Sequence, residues 1–421
     1  MQEPLQLARF HLLDRIGENE ACLADPAAEV FTALDSLALI RGQLVGKQIA
    51  VATGSRGIAS LREIVRAACR WLIAQGANPF VFPAMGSHGG ATDEGQRAIL
   101  AGYGVVPEFV GAEVRSSMEA VCVGETPEGF PVFVDRNAWG ADGVLVINRV
   151  KTHTRFTGRI ESGLLKMIGI GMGKHRGATE CHRLVLQHGF EPVIRSIAGA
   201  VLASGRILAG LAIVENGRHK AAAIRASAPE GVAALDEQML VLAKSLSPRI
   251  PFSRLHLLVV DEIGKDVSGT GMDAKVIGRG LESVLPELPQ IDLIYARDLT
   301  DETAGNGLGV GLADFIHERL YRRMDAEKMY VNARTSLNPW VARLPMWFRS
   351  DREALEFALQ VSASPAPAEQ RLVSIRNTLS LDRILISEGL AGEAAELSGW
   401  RLSQDARELE FDNEGNLPFR S

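Results

Sequence analysis

Apolar residues along the chain fall into two rhythms: short solid runs, and stretches in which they recur every three to four positions. Gln48 to Ala52 is a solid, β-prone run. Behind it Leu61, Ile64, Val65, Ala68, Leu72 and Ile73 repeat at helical spacing, and Gly76-Ala77-Asn78 ends the repeat. Ser60 and Glu63 have the spacing of a capping box, in which a hydroxyl and a carboxylate exchange hydrogen bonds with the first free amides. Pro79 to Pro83 reads as the next strand. Strand, helix and strand in this order predict parallel strands joined by a right-handed crossover. Further strands are predicted at Gly143 to Asn148, Ile207 to Val214, Leu255 to Val260 and Ile291 to Tyr295. Ser350 and Glu353 form a second capping-box pair ahead of Ala354, Phe357, Ala358 and Val361, and Ser362 to Ala368 reads as a loop. Strands alternating with helices indicate an α/β fold, in which ligands bind where strands end and loops begin.

Length divides this pattern. A chain of 421 residues exceeds one ordinary core, and the Ser-Pro and Ile-Pro breaks between Ser245 and Ser253 place a boundary there. The expectation is an N-terminal α/β domain over 1–250 and a C-terminal α/β domain over 251–421. With 46% hydrophobic and 23% charged residues the composition is that of an ordinary globular protein. A net charge of -6 opposes general nucleic-acid binding, which needs a basic face. Cys22, Cys69, Cys122 and Cys181 are scattered, without a CxxC pair, which suits a reducing compartment. The start of the chain has no signal-peptide pattern, and Arg206 and three glycines interrupt the most apolar stretch, Ile197 to Val214. These features predict a cytoplasmic protein without a membrane span. They do not specify an oligomeric state.

Candidate chemistry clusters at predicted strand ends. His88, in Gly86-Ser87-His88-Gly89-Gly90, follows the strand ending at Pro83 and precedes a helix start at Thr92-Asp93-Glu94. His153 follows the strand at Gly143 in the same manner. Two imidazoles, each with an unperturbed pKa of about 6.5, could serve opposite faces of one stereocentre as base and acid. Gly169 to Lys174 resembles a phosphate loop only superficially, because Ile168 and His175 stand where that motif requires glycine and Ser or Thr. His175, His182 and His188 share a predicted helical segment, but residues seven apart lie ~10 Å from each other along the axis. At most one of the three can therefore ligate a given metal ion. Arg56 at the end of the first strand suits an anionic group, and the polar run from Asp261 to Lys275 follows a strand as a second candidate ligand loop.

Arg56, His88, His153, Lys166 and His182 resemble, in order and spacing, the active-site residues of nickel-pincer-dependent lactate racemases. The separations of 32 residues from Arg56 to His88 and 16 from Lys166 to His182 carry the likeness, with the segment from His153 through Phe156 and Gly158 to Lys166. The resemblance implies Rossmann-like, mostly parallel sheets in two domains with an active-site cleft between them. It implies a nickel-pincer nucleotide, Ni(II) held by a pyridinium-3-thioamide-5-thiocarboxylic acid mononucleotide, tethered to Lys166 and supplied by cofactor-biosynthesis enzymes. His182 would ligate nickel, Phe156 and Gly158 would contact the cofactor, and His88 and His153 would alternate as base and acid. Arg56 and Lys275 would engage anionic groups of substrate or cofactor. The implied activity is racemisation or epimerisation of a 2-hydroxy acid, through loss of the hydroxyl proton and passage of the C2 hydride to the cofactor. Thr53 stands where the family carries an acid, and Met272-Asp273-Ala274-Lys275 replaces its Tyr-Gln…Lys element, which points to a 2-hydroxy acid other than lactate, larger or polyhydroxylated. Two other readings use the same residues: a metal-dependent lyase or dehydratase, and a non-catalytic binder of an anionic metabolite or nucleotide.

Overall fold

A computed structural model describes residues 6–16, 21–37, 43–54, 57–153, 156–280, 289–335, 339–362 and 366–419. The chain forms two compact units, one of residues 19–247 and one of residues 1–18 with 248–421.

The unit of residues 19–247 is built on a six-stranded sheet in the order Glu113–Val114, Asn78–Pro83, Gln48–Thr53, Gly143–Arg149, Ile207–Glu215, Ala221–Ser227. All neighbours are parallel except the last pair. Side chains alternate across it, as the strand period of two requires. Ala50, Ala52, Phe82, Val144 and Val146 face one helical layer, while Ile49, Val51, Val81, Leu145 and Ile147 face another. Burial on both faces explains why these strands read as solid apolar runs. The helix Leu61–Ala74 packs Leu61, Ile64, Val65, Ala68 and Leu72 onto the sheet, and Ile73 turns outward at 47% exposure. The capping box expected at Ser60 does not form. Ser60 sits in the left-handed region at φ 56 and its side chain makes no cap hydrogen bond.

The other unit contains an eight-stranded sheet in the order Met346–Phe348, Phe315–His317, Gln290–Leu299, Arg254–Ile263, Leu372–Ile375, Arg383–Ser387, Phe10–Arg15, Trp400–Leu402. The first five are parallel and the last three antiparallel. The strand Phe10–Arg15, assigned from sequence to the N-terminal domain, pairs instead with Arg383–Ser387, Phe10 opposite Ser387. Here the Ser350 half of the capping box forms: Ser350 Oγ accepts the Glu353 amide at 3.3 Å, while the Glu353 carboxylate accepts the amide of Arg349, one residue before the cap, at 3.2 Å. Arg297 is buried between Asp261 at 2.6 Å and Asp351 at 2.7 Å, so its charge is balanced inside the sheet. Among the described residues no helix is long and apolar enough to cross a membrane.

Candidate functional site

Three segments, one after the strand Asn78–Pro83 and two after Gly143–Arg149, carry the candidate residues His88, Lys166 and His153 at the carboxyl edge of the six-stranded sheet. The loop after Asn78–Pro83 presents His88, which is exposed. Its exit is capped by Thr92, whose hydroxyl accepts the Gly95 amide at 3.0 Å. Gln96, fully buried on the following helix Asp93–Gly102, donates to the carbonyls of Gly86 at 2.8 Å and His88 at 3.2 Å.

Lys166 closes a short helical turn, Leu164–Lys166, that runs into one turn of π-helix, Met167–Gly171. Asp236, on the helix Val232–Leu246, accepts the first amides of this turn, from Leu164 at 2.9 Å and Leu165 at 3.0 Å. A carboxylate there satisfies orphan donors and complements the helix dipole. Burial pushes the Asp236 carboxyl up to about 6, against the pull of the Leu165 and Leu164 amides. Asn148, at the end of Gly143–Arg149, donates to the carbonyl of Gly163 at 2.7 Å and so holds the same turn from the sheet.

The glycine run that superficially resembled a phosphate loop has a different role. A Cβ at residue 171 would lie 2.5 Å from the carbonyl oxygen of Ala84, and the Gly86 amide donates to the Gly171 carbonyl at 3.0 Å. Glycine lets the Lys166 segment touch the backbone of the His88 loop. Lys174 is fully buried, donates to Pro83 and Gln96 at 2.8 and 2.6 Å, and lies 3.4 Å from Asp135. Burial lowers the Lys174 pKa and raises that of Asp135, each opposed by its partner's charge. Lys174 also adopts φ 54, a left-handed conformation that costs a non-glycine residue about 1–2 kcal/mol. Three polar contacts hold it there.

The third loop leaves the strand at Arg149 and is closed by a two-bond bridge between Lys151 and Ser162. Within it the His153 amide donates to buried Glu161 at 2.6 Å, and Lys244 reaches the other Glu161 oxygen at 2.8 Å. The His153 ring lies 4.7 Å from Phe156 and 5.7 Å from Phe190, and these two phenyl rings stack at 4.3 Å. Gly158 lies against Glu191, where a Cβ would sit 2.6 Å from Oε2.

These loops enclose a cavity of about 130 Å3. His88, Lys151, Arg149 and Lys166 line it with Asn148 and Ser162, over an apolar wall that includes Ile58, Met85, Met167 and Ile170. Among the described residues no carboxylate lines it. Arg149 pairs with Glu215. Burial would raise the Glu215 carboxyl, but His219, Arg149 and the Ala59 amide draw it down to about 2. Basic side chains thus outnumber acidic ones along the described lining. The structure thus brings together His88 and Lys166, which are far apart in sequence. His153 stands two residues beyond Lys151 and is not among the lining residues. His182 is exposed on the helix Lys174–His188, as are His175 and His188. Its neighbour Cys181 is buried, and burial pushes its thiol up to about 12 against the opposing charge of Lys166. Lys275 belongs to the other unit, in the loop after Arg254–Ile263. Arg56 lies outside the described residues.

Sequence reading passed over Asp236, Gln96 and Glu161. A signal for Asp236 was present: Val232, Leu235, Asp236, Met239, Leu240 and Ala243 form one buried stripe, with a carboxylate in the middle.

Residues 28–191 match the family model of the lactate racemase N-terminal domain. Over that segment the chain resembles the lactate racemase family. Among solved structures, the lactate racemase apoprotein from Thermoanaerobacterium thermosaccharolyticum has the same fold, with a TM-score of 0.50 at 12% identity, over 88% of this chain and 99% of that chain. No curated protein matches. The matched segment contains His88, His153, Lys166 and His182, while Asp236 and Lys244, which clamp two of their loops, lie beyond it.

Proposed function

We propose that the chain is a racemase or epimerase that inverts C2 of a small 2-hydroxy acid with a nickel-pincer nucleotide attached to Lys166. The observation that carries this reading is the shared cavity of His88 and Lys166, lined among the described residues by basic side chains and by no carboxylate. The donor set is compatible with that cofactor. Among the described residues no three His, Cys, Asp or Glu side chains converge on one point, and a group that brings most of its own metal donors needs only one from the chain. His182, one residue past the Cys181 that senses the Lys166 charge, would supply that nitrogen, and the stacked Phe156 and Phe190 rings offer a flat apolar surface beside His153.

When bound, the cofactor supplies an acceptor for the hydride at C2. Every other task falls to the chain. Lys151 attracts the substrate carboxylate by charge. His88 takes the proton from the 2-hydroxyl as that oxygen becomes a carbonyl, and returns it afterwards. His153 performs the same exchange for the opposite enantiomer, with its backbone fixed by Glu161. The cavity is below the ~300–1,000 Å3 typical of drug-sized ligands. Its apolar wall suits a small acid with one apolar face better than a polyhydroxylated one.

Intact mass tests the attachment. Protein co-produced with the cofactor-making enzymes should gain a mononucleotide-sized mass that is lost in Lys166→Ala. Unmodified protein under those conditions overturns the reading.

A further inference from the structure

Lys174 and Gln96 serve no step described above, yet both are fully buried beside the His88 loop. Their chemistry fixes a direction. A lysine ammonium has hydrogens and no acceptor, so the Gln96 atom that meets Lys174 at 2.6 Å must be the amide oxygen. The amide nitrogen is then turned toward the loop, where it donates to the carbonyls of Gly86 and His88 at 2.8 and 3.2 Å. Lys174 in turn is held by Pro83, the last residue of the preceding strand, at 2.8 Å and by Asp135 at 3.4 Å. Strand end, ion pair, amide and histidine loop form one continuous chain of contacts.

We propose that Gln96 is the positioning residue for His88, its amide oriented by the Lys174–Asp135 pair so that its nitrogen fixes the backbone on which the imidazole stands. The proposal rests on the reading of His88 as an acid–base group, but its structural part does not. Buried polar networks rigidify the groups they join, and here the Gln96 amide is engaged through both its oxygen and its nitrogen. Removal of the donor side of Gln96 leaves two carbonyls of the loop without a fixed partner.

Gln96→Glu is the sharpest variant. It has the same shape and still accepts from Lys174, but an ionised carboxylate cannot donate to Gly86 or His88. Gln96→Met, which removes both functions, serves as a second variant should the first fail to fold. In apoprotein labelled with [13C]histidine, the His88 ring signal is assigned by its loss in His88→Asn. The expected result is that this signal shifts or broadens in either variant under conditions where the protein is folded, while those of exposed His175 and His188 stay in place. In the loaded enzyme, kcat should fall about 10–100-fold at nearly constant KM, the signature of a misplaced catalytic group. A His88 signal in the folded variant that coincides with that of the unsubstituted protein overturns the proposal. A displaced His88 signal in a protein that turns over no 2-hydroxy acid would leave the positioning intact and remove the function assigned to His88.

Discussion

Gly163 lies so close to Asp236 that a Cβ added to it would sit 1.9 Å from the carboxylate oxygen. The contact follows from what Asp236 does. To accept the amides of both Leu164 and Leu165, the carboxylate must press against the residue just before them, and only glycine leaves the room. Backbone conformation imposes no such demand, because Gly163 is extended at φ -174. The turn that presents Lys166 is therefore gripped between Asp236 and Asn148, which holds the Gly163 carbonyl at 2.7 Å.

Gly163→Ala should loosen that grip. Overpacking at a buried site costs about 1–3 kcal/mol, readable from urea unfolding. The fraction of chains modified at Lys166 should fall in the same variant. Normal loading together with normal stability would show that the carboxylate can yield without moving the turn.

Asp236 also makes stability depend on pH. Burial raises its carboxyl from 3.8 to about 6 in the folded chain. The folded form thus keeps a proton that the unfolded chain has lost, and stability falls as pH rises between about 4 and about 6. The lost contribution is on the order of 3 kcal/mol at most. Asp236→Asn cannot titrate, so its stability relative to the unsubstituted protein should improve across that window. Parallel pH profiles for the two proteins would contradict the assignment.

Lys151 should act on binding rather than on the fold. Its loss as Lys151→Gln removes a charged partner for a carboxylate, and charge-assisted hydrogen bonds contribute about 1.5–3 kcal/mol. KM for a 2-hydroxy acid should rise ten-fold or more by that estimate, with the unfolding midpoint unchanged. An unchanged KM would remove Lys151 from the substrate site.

In the eight-stranded unit Arg297→Met should be strongly destabilising, because it removes the buried guanidinium held between the carboxylates of Asp261 and Asp351. Breaking a buried pair from one side costs about 3–5 kcal/mol. Hydrogen exchange in the strands Arg254–Ile263 and Gln290–Leu299 should accelerate accordingly; protection equal to that of the parent protein would contradict the account.

Local pattern made much of this architecture readable. The solid runs at Gln48–Thr53, Gly143–Arg149 and Ile207–Glu215 are strands because both sheet faces are covered, and a strand end is where His88 emerges. Features that depend on distant partners were not readable. Phe10–Arg15 joins the second unit through pairing with Arg383–Ser387, a register no local rhythm encodes. Ser60 has the right neighbours for a cap but the wrong backbone, at φ 56. The glycines of 169–173 gave a signal of close approach without naming what approaches. The answer, the backbone at Ala84 and Gly86, is a tertiary fact. Lys174 and Gln96 hid as ordinary polar residues until their burial was visible.

The most direct test of the central claim is stereochemical. Protein loaded at Lys166 should be given one enantiomer of lactate and, separately, of 2-hydroxybutyrate and related small 2-hydroxy acids, with the products resolved by chiral chromatography. The account predicts that at least one acid approaches an equal mixture of enantiomers, and that His88→Asn and His153→Asn each abolish the conversion. Retention of configuration across the panel by loaded protein, or release of an unsaturated or oxo product instead, would contradict it.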